Sequence, residues 1–200
     1  MIVMFSLLAC GPAEIVPMLS GSISPEGHDL SAEMYGYKAF GFDNAGTLVV
    51  YIASHKEATC EGVSSYIKGE AFDPSTLFEP QSCNLFIKAS DYEGSWEAED
   101  DRMLSASSAI NCTMGDGAFE YENGQDAGYY WGGNWWAGFP IEYSWSITGD
   151  RDSSYTLELE MQTYEGSFPL EEFDRYEASG LVSGTVEAEV CTNLGSTGQF

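Results

Sequence analysis

Apolar and polar residues alternate along two neighbouring segments in the C-terminal half of this chain. In residues 155–163 every second position is apolar, namely Tyr155, Leu157, Leu159 and Met161. Residues 141–148 alternate in the same way, and the polar segment 149–154 joins the two. Because successive side chains of a strand point to opposite faces, this pattern is typical of strands with one buried face. The sequence therefore predicts a β-hairpin whose other face is solvated.

Six other segments have the composition of β-strands. They are residues 34–42, 46–53, 84–89, 106–114, 118–122 and 181–190. Together with the hairpin they give eight strands, with turns marked by Asp116-Gly117 and Asn123-Gly124. This arrangement predicts a mainly β fold, an antiparallel two-layer β-sandwich, with a partly open β-barrel as the alternative.

One short helix is predicted among these strands, over residues 55–67. Ser54 and Glu57 have the spacing of a capping box, in which the two side chains satisfy the first backbone N–H groups of a helix. Small and apolar residues then recur at helical intervals, namely Cys60, Val63, Ser64 and Ile67. We expect this helix to pack on the sheet through Cys60.

The first residues of the chain form an apolar run that ends at a cysteine. Residues 1–9 are too few to cross a bilayer, which takes about 20 apolar residues, but they fit a secretory signal segment. The run Leu7-Leu8-Ala9-Cys10 resembles the lipobox of bacterial lipoproteins. This resemblance implies a lipidated Cys10, a membrane anchor and a location outside the cytoplasm, at the outer membrane or cell surface of a bacterium. The alternative from the residues alone is a buried N-terminal strand with a free thiol.

The segment after this cysteine is rich in Pro, Gly and Ser. Residues 10–32 are therefore predicted to be the lipidated N-terminus and a flexible tether. The following residues, 33–200, are predicted to form a single folded domain, because 44% of the chain is hydrophobic and 14% is aromatic, enough for a packed core.

The cysteine count supports an oxidising compartment. The chain has five cysteines, Cys10, Cys60, Cys83, Cys112 and Cys191. If Cys10 carries lipid, four remain, which is enough for two disulfides. Four cysteines allow three connectivities, and proximity in sequence favours Cys60 with Cys83 and Cys112 with Cys191. No metal site is predicted, since no C-x-x-C motif occurs and the histidines have no ligand spacing.

Net charge narrows the range of partners. The chain has 32 acidic and 7 basic residues, a formal charge of −25 at pH 7. Such a charge repels phosphate backbones, so nucleic acid is excluded as a partner. Abundant carboxylates with few lysines also suit salty surroundings, where screening reduces self-repulsion.

One aromatic segment is the first candidate for ligand binding. Residues 128–140 contain three of the five tryptophans, and the predicted contact residues are Tyr130, Trp131, Trp135 and Trp136. Exposed aromatic rings can stack on the sugar rings of a glycan or contact an envelope protein. Alternatively, the rings cover one open end of the sandwich, and the burial tendency of large aromatic residues favours this interpretation.

The acidic side chains give few specific indications of a metal site or of catalysis. A cofactor is not predicted, although Glu97, Glu99, Asp100 and Asp101 are the candidates for an irregular Ca²⁺ site. Neither histidine lies in a motif for nucleophilic catalysis, and phosphate-binding loops are absent. The sequence therefore favours a binding or structural component of the envelope over an enzyme. The alternative is a secreted hydrolase, similar to a glycosidase, that uses a carboxylate pair which spacing does not identify.

Overall fold

The computed structural model is mainly β, with a single α-helix among the residues that it describes. These are residues 16–23, 32–44, 47–68, 70, 74–79, 82–89, 91–97, 108–113, 135–138, 140–150, 152–164 and 178–192. The strands are β1 (Leu19–Ile23), β2 (Ala32–Gly36), β3 (Lys38–Asn44), β4 (Thr47–Ala53), β5 (Cys83–Ala89), β6 (Glu93–Glu97), β7 (Ser108–Thr113), β8 (Trp135–Gly138), β9 (Pro140–Asp150), β10 (Ser154–Tyr164) and β11 (Ala178–Val190). The helix is α1 (Cys60–Ile67), and a 3₁₀ turn follows at Pro74–Thr76. The predicted strand 118–122 lies outside the described residues.

All the strands belong to one curled, open sheet. Its main path runs β6-β9-β10-β11-β3-β4-β5-β7-β8, and β1 pairs with both β11 and β2. The mainly β prediction is confirmed, and the curled sheet fits a sandwich or a partly open barrel. The sheet is mixed rather than purely antiparallel, because β11 and β3 run parallel. These two strands lie at opposite ends of the domain sequence, so no hairpin turn constrains their relative direction.

The sheet divides where β11 has two neighbours on the same edge. Residues 182–184 of β11 pair with β1, whereas residues 188–190 pair with β3. Gly184 lies at this division with a φ of +147°, and a Cβ there would collide with the backbone oxygen of Met18. A residue with a side chain would therefore disrupt the entry of β1 into the sheet.

The first strand corrects one prediction. A flexible tether is predicted over residues 10–32, but Leu19–Ile23 form β1 and lie in the sheet. Leu19 and Ile23 are fully buried, and this burial offsets the entropy lost when the segment is ordered. The prediction is therefore wrong for this segment.

Two hydrophobic clusters lie on opposite sides of the central strands. The larger cluster fills the space between the two halves of the curled sheet, and its members include Leu48, Val50, Leu85, Ile87, Leu157, Leu159, Val182 and Val186. The smaller cluster lies between the other face of β3, β4 and β5 and the helix, and includes Phe40, Val49, Tyr51, Val63, Tyr66, Leu77 and Phe86. The central strands are thus buried on both faces, which explains the continuously apolar sequence of β4.

The helix starts later than its sequence signals indicate. Thr59 is the N-cap, and its hydroxyl accepts a hydrogen bond from the Gly62 N–H at 3.2 Å. The predicted capping box at Ser54 is wrong, because the Ser54 side chain is fully buried and accepts the Glu79 N–H instead. No described helix is long and apolar enough to cross a membrane.

Two disulfides cross-link the fold, and their pairing differs from the one that proximity in sequence favours. Cys83 pairs with Cys112, and Cys60 pairs with Cys191. Cys83 and Cys112 lie directly opposite each other on β5 and β7, with Cα atoms 4.0 Å apart. Cys60 begins the helix that covers β3 and β4, next to the end of β11, where Cys191 follows. Spatial neighbours in a sheet are set by strand order, which sequence distance does not reveal.

Candidate functional site

The aromatic segment predicted as a contact region contributes a strand to the sheet. Tyr130 and Trp131 lie outside the described residues, whereas Trp135 and Trp136 belong to β8. This strand comes last in the sheet order, where Trp136 is paired with Cys112 of β7. β8 therefore pairs with a strand, β7, that the Cys83–Cys112 disulfide links to β5, and β5 is buried on both faces. The segment therefore contributes the last strand of the sheet path.

The other candidates from sequence are only partly within the described residues. Cys10 lies outside them, as do Glu99, Asp100 and Asp101, while Glu97 ends β6. Within the described part of the chain, no group of three or more His, Cys, Asp or Glu side chains has the arrangement of a metal site.

A broad acidic and hydroxyl-rich surface covers the outer face of β9, β10 and β11. Each carboxylate on β10 faces hydroxyl side chains on both neighbouring strands: Glu158 is opposite Ser146 and Thr185, and Glu160 is opposite Ser144 and Ser183. The carboxylates of β10 therefore do not lie directly opposite other carboxylates, an arrangement that would destabilise the sheet. None of these three strands contains a lysine or arginine, so the surface attracts cations and repels anions.

A second group of polar side chains, which we call the tyrosine–carboxylate cluster, comprises Glu33, Tyr35, Tyr37, His55 and Glu79. The first three alternate along and just beyond β2, while Met34 between them is fully buried. The rings of Tyr35 and Tyr37 are stacked, with centroids 5.8 Å apart and planes inclined by 28°. This alternation places the two rings and the Glu33 carboxylate on one solvent-facing side of β2.

Glu79 and His55 reach the same place from other parts of the chain. The Glu79 carboxylate lies 3.5 Å from His55 Nε2, and the two side chains are 33% and 18% exposed. Burial raises the pKa of the Tyr35 phenol, and the negative charges of Glu33 and Glu79 and the neighbouring Tyr37 phenol raise it further. The Tyr35 hydroxyl thus lies in the field of two carboxylates that are far apart in sequence.

A buried polar network holds the segment that carries Glu79. Asn84 is fully buried, accepts the Ser54 N–H at 2.6 Å and donates to the Leu77 carbonyl at 3.0 Å and to the Tyr51 hydroxyl at 2.5 Å. Ser82 Oγ donates to the Glu79 carbonyl at 2.7 Å. These bonds fix residues 77–79 against β4 and β5, so the position of the Glu79 backbone is set before any ligand binds.

The contacts of His55 bear on general-base catalysis. His55 Nδ1 accepts the Glu57 N–H at 3.0 Å, and Nε2 faces Glu79. Both ring nitrogens are thus engaged, whereas base catalysis by a histidine needs one nitrogen directed at the reacting group. His28 lies outside the described residues.

The sequence analysis did not predict the tyrosine–carboxylate cluster, although the sequence indicates that its two tyrosines share a face. The predicted strand 34–42 already places Tyr35 and Tyr37 on one face, by their spacing of two. The approach of Glu79 and His55 depends on tertiary packing alone. None of the family models, curated proteins and solved structures compared with this chain matches it. A functional proposal therefore depends on the residues of the chain itself.

Proposed function

We propose that this chain is a lipid-anchored, extracytoplasmic protein of the bacterial cell envelope, whose β domain binds an envelope component, a glycan or another protein. The observation that carries the proposal is the distribution of the cysteines. Four of them form two disulfides, one within the sheet and one at the start of the helix, and the fifth, Cys10, ends the lipobox-like run.

The disulfides are compatible with a location outside the cytoplasm, where the thiol-reducing systems of the cell do not operate. Cys83 and Cys112 are fully buried, and Cys191 is 5% exposed, so these bonds are part of the packed structure. Because the other four cysteines pair with one another, the Cys10 thiol is available for acylation.

The length of the connecting segment supports an anchor close to the domain. From Cys10 to Leu19, where β1 begins, an extended chain spans at most about 30 Å. Because Leu19 is buried in the core, an acyl group on Cys10 would hold the whole sheet near the membrane surface. A short link of this kind suits a protein that binds partners within the envelope.

The anchor is tested by substituting Cys10→Ser in the full chain, expressed in a bacterial host with lipoprotein processing. We expect palmitate labelling to be lost and the protein to move from the membrane to the soluble fraction. Ser20→Ala, a conservative change in β1, serves as the matched control and should keep both label and membrane association. Membrane-purified protein with an unmodified Cys10 would contradict the anchor.

The contact region is tested separately by tryptophan fluorescence, with soluble peptidoglycan fragments and surface oligosaccharides as probes. If the β8 segment binds glycan, Trp135→Phe and Trp136→Phe should reduce the spectral change on titration. Trp145→Phe is the control, because this ring is 7% exposed in the core and should leave the titration midpoint unchanged. An unaltered titration in both β8 variants would show that the contact is elsewhere.

A further inference from the structure

We infer that the tyrosine–carboxylate cluster binds a guanidinium group, that of an arginine side chain presented by a peptide or protein partner. The inference is independent of the lipid anchor and of the β8 segment, since it uses only residues on and just beyond β2, in the turn before α1 and after the 3₁₀ turn. It rests on the shape of the cluster, on its charge and on how its parts are held.

The shape of the cluster suits a flat ligand. With planes inclined by only 28°, the stacked rings of Tyr35 and Tyr37 present a flat outer aromatic face, the platform, rather than an enclosed cage. Both rings are partly exposed. A guanidinium is planar and stacks on aromatic faces, where the negative face of the ring attracts the cation.

The charge of the cluster suits a cation. Glu33 is exposed two positions before Tyr35 on the same side of β2, and Glu79 approaches from the segment after the 3₁₀ turn. A guanidinium stacked on the platform has N–H groups around its rim, and a carboxylate accepts two of them in parallel. The formal charge of −25 disfavours anionic ligands throughout the protein.

The parts are fixed in advance, which lowers the entropic cost of binding. The backbone of β2 is paired with β1 along its whole length and is held by fully buried Met34. Glu79 is positioned at its N–H by the Ser54 hydroxyl, 3.3 Å away, and at its carboxylate by His55. A ligand therefore meets aromatic rings on a fixed strand and a Glu79 carboxylate that is already in place.

Arginine is favoured over the two nearest alternatives. A lysine ammonium is a compact, strongly hydrated charge that neither stacks nor pairs bidentately with a carboxylate. A neutral sugar can stack on tyrosine and donate hydroxyl hydrogen bonds to the carboxylates, but it carries no positive charge for the negative field around Tyr35 to attract. The guanidinium combines planar stacking on the rings with bidentate pairing to a carboxylate.

The experiment titrates the full, oxidised chain with acetylated and amidated Gly-Arg-Gly, and with the matching Gly-Lys-Gly and a neutral oligosaccharide, followed by NMR. We expect the arginine peptide to bind about threefold or more tightly than the lysine peptide, and binding to weaken as salt is raised, because exposed ion pairs and cation–π contacts are modest and screened. Stronger binding of the lysine peptide or of the oligosaccharide at these tyrosines would overturn the inference.

Two variants assign the binding to the cluster. Glu33→Gln removes an exposed charge, and Tyr35→Leu removes half of the platform; each should weaken the arginine peptide about threefold or more. Glu158→Gln removes the same charge from the outer face of β10 and should leave the affinity unchanged. Since Glu33 is exposed, its variant should keep the wild-type melting temperature. Equal losses in Glu33→Gln and Glu158→Gln would show only nonspecific attraction and would overturn the assignment.

Discussion

At the scale of single residues, Asn84 helps to fix the segment that carries Glu79. Its amide bonds the backbone on both sides, at the Ser54 N–H and the Leu77 carbonyl, in a fully buried environment. In such surroundings a lost partner costs more than the bond itself contributes, because the remaining group is neither hydrated nor paired.

We therefore expect Asn84→Leu, which keeps the approximate volume, to lower the free energy of unfolding by about 3 kcal/mol. Urea denaturation followed by circular dichroism measures this loss. Ser146→Ala is the control, since its bond to Glu158 is exposed and 3.4 Å long, and its effect should be within about 0.5 kcal/mol. An unchanged urea midpoint in Asn84→Leu would show that the network is not essential.

The buried Tyr51 phenol should make the free energy of unfolding depend on pH in alkaline solution. Burial raises its pKa well above the ordinary value of 10.0, and the neighbouring Tyr66 raises it further, while the hydrogen bond from Asn84 acts in the opposite direction. Above pH 10 the unfolded chain loses this proton and the folded chain keeps it. The unfolded state then binds fewer protons, so the stability falls as pH rises.

Tyr51→Phe removes this contribution. The variant should lose stability less steeply than the wild type above pH 10, by up to about 1.4 kcal/mol per pH unit. Urea midpoints measured at several alkaline pH values give the slope. Tyr92→Phe, at a side chain that is 52% exposed, should retain the wild-type slope. Parallel curves for Tyr51→Phe and the wild type would contradict the assignment to this phenol.

At the scale of elements, β1 shows how a short polar-looking strand can complete a core. Its sequence LSGSI resembles a linker, yet Leu19 is fully buried among residues from both halves of the sheet. Leu19→Ala should therefore lower the free energy of unfolding by about 3 kcal/mol, through lost burial and the cavity that remains. Ser20→Ala, next to it on the exposed side, is the matched control. Equal urea midpoints for the two variants would mean that Leu19 does not contribute to the core and that this segment is part of the tether.

Sequence patterns predict the elements that are long and regular. The strand predicted at 155–163 corresponds to β10, Ser154–Tyr164, because its alternation extends over many positions and one face is buried. The predicted strand 34–42 is instead two strands, β2 and β3, which belong to different parts of the sheet. Alternation alone does not reveal such a break, since both pieces are extended.

Short elements and distant contacts were not predictable in this way. The five-residue strands β1 and β6 have too few positions for a period to stand out. In the candidate site, Tyr35 and Tyr37 follow from their spacing, but Glu79 approaches them only because Ser54 and Asn84 hold its segment. The disulfide partners likewise follow from strand order and not from sequence distance.

At the scale of the whole molecule, two covalent links join parts that are distant in sequence. Cys60–Cys191 ties the start of the helix to the end of β11 across 131 residues, and Cys83–Cys112 joins β5 to β7 across 29. In the chain-entropy model the longer loop stabilises more, by about 5 kcal/mol against about 3.6 kcal/mol. The parallel junction of β11 with β3 has only three paired positions, so the longer link reinforces the place where the two ends of the domain meet.

The net charge of the molecule lowers the stability of the folded state, whereas the disulfides raise it. The outer face of β9, β10 and β11 carries carboxylates without basic residues, and the chain has a formal charge of −25. Folding brings these charges closer together than they are in the unfolded chain, which destabilises the compact state. Salt screens this repulsion over about 10 Å at 0.1 M and about 3 Å at 1 M.

We therefore expect the melting temperature to rise as NaCl increases from about 0.05 M to about 1 M. A gain of about 4 °C corresponds to slightly more than 1 kcal/mol for a domain of this length. Glu158 faces Thr185, which makes Glu187 its diagonal neighbour on the exposed face, so the double variant Glu158→Gln, Glu187→Gln should start from a higher melting temperature and gain less from salt. This comparison separates screening from the general strengthening of apolar burial by salt, since only screening depends on the two carboxylates. A melting temperature that falls with added NaCl, or an equal gain in the double variant, would mean that repulsion on this face does not limit stability.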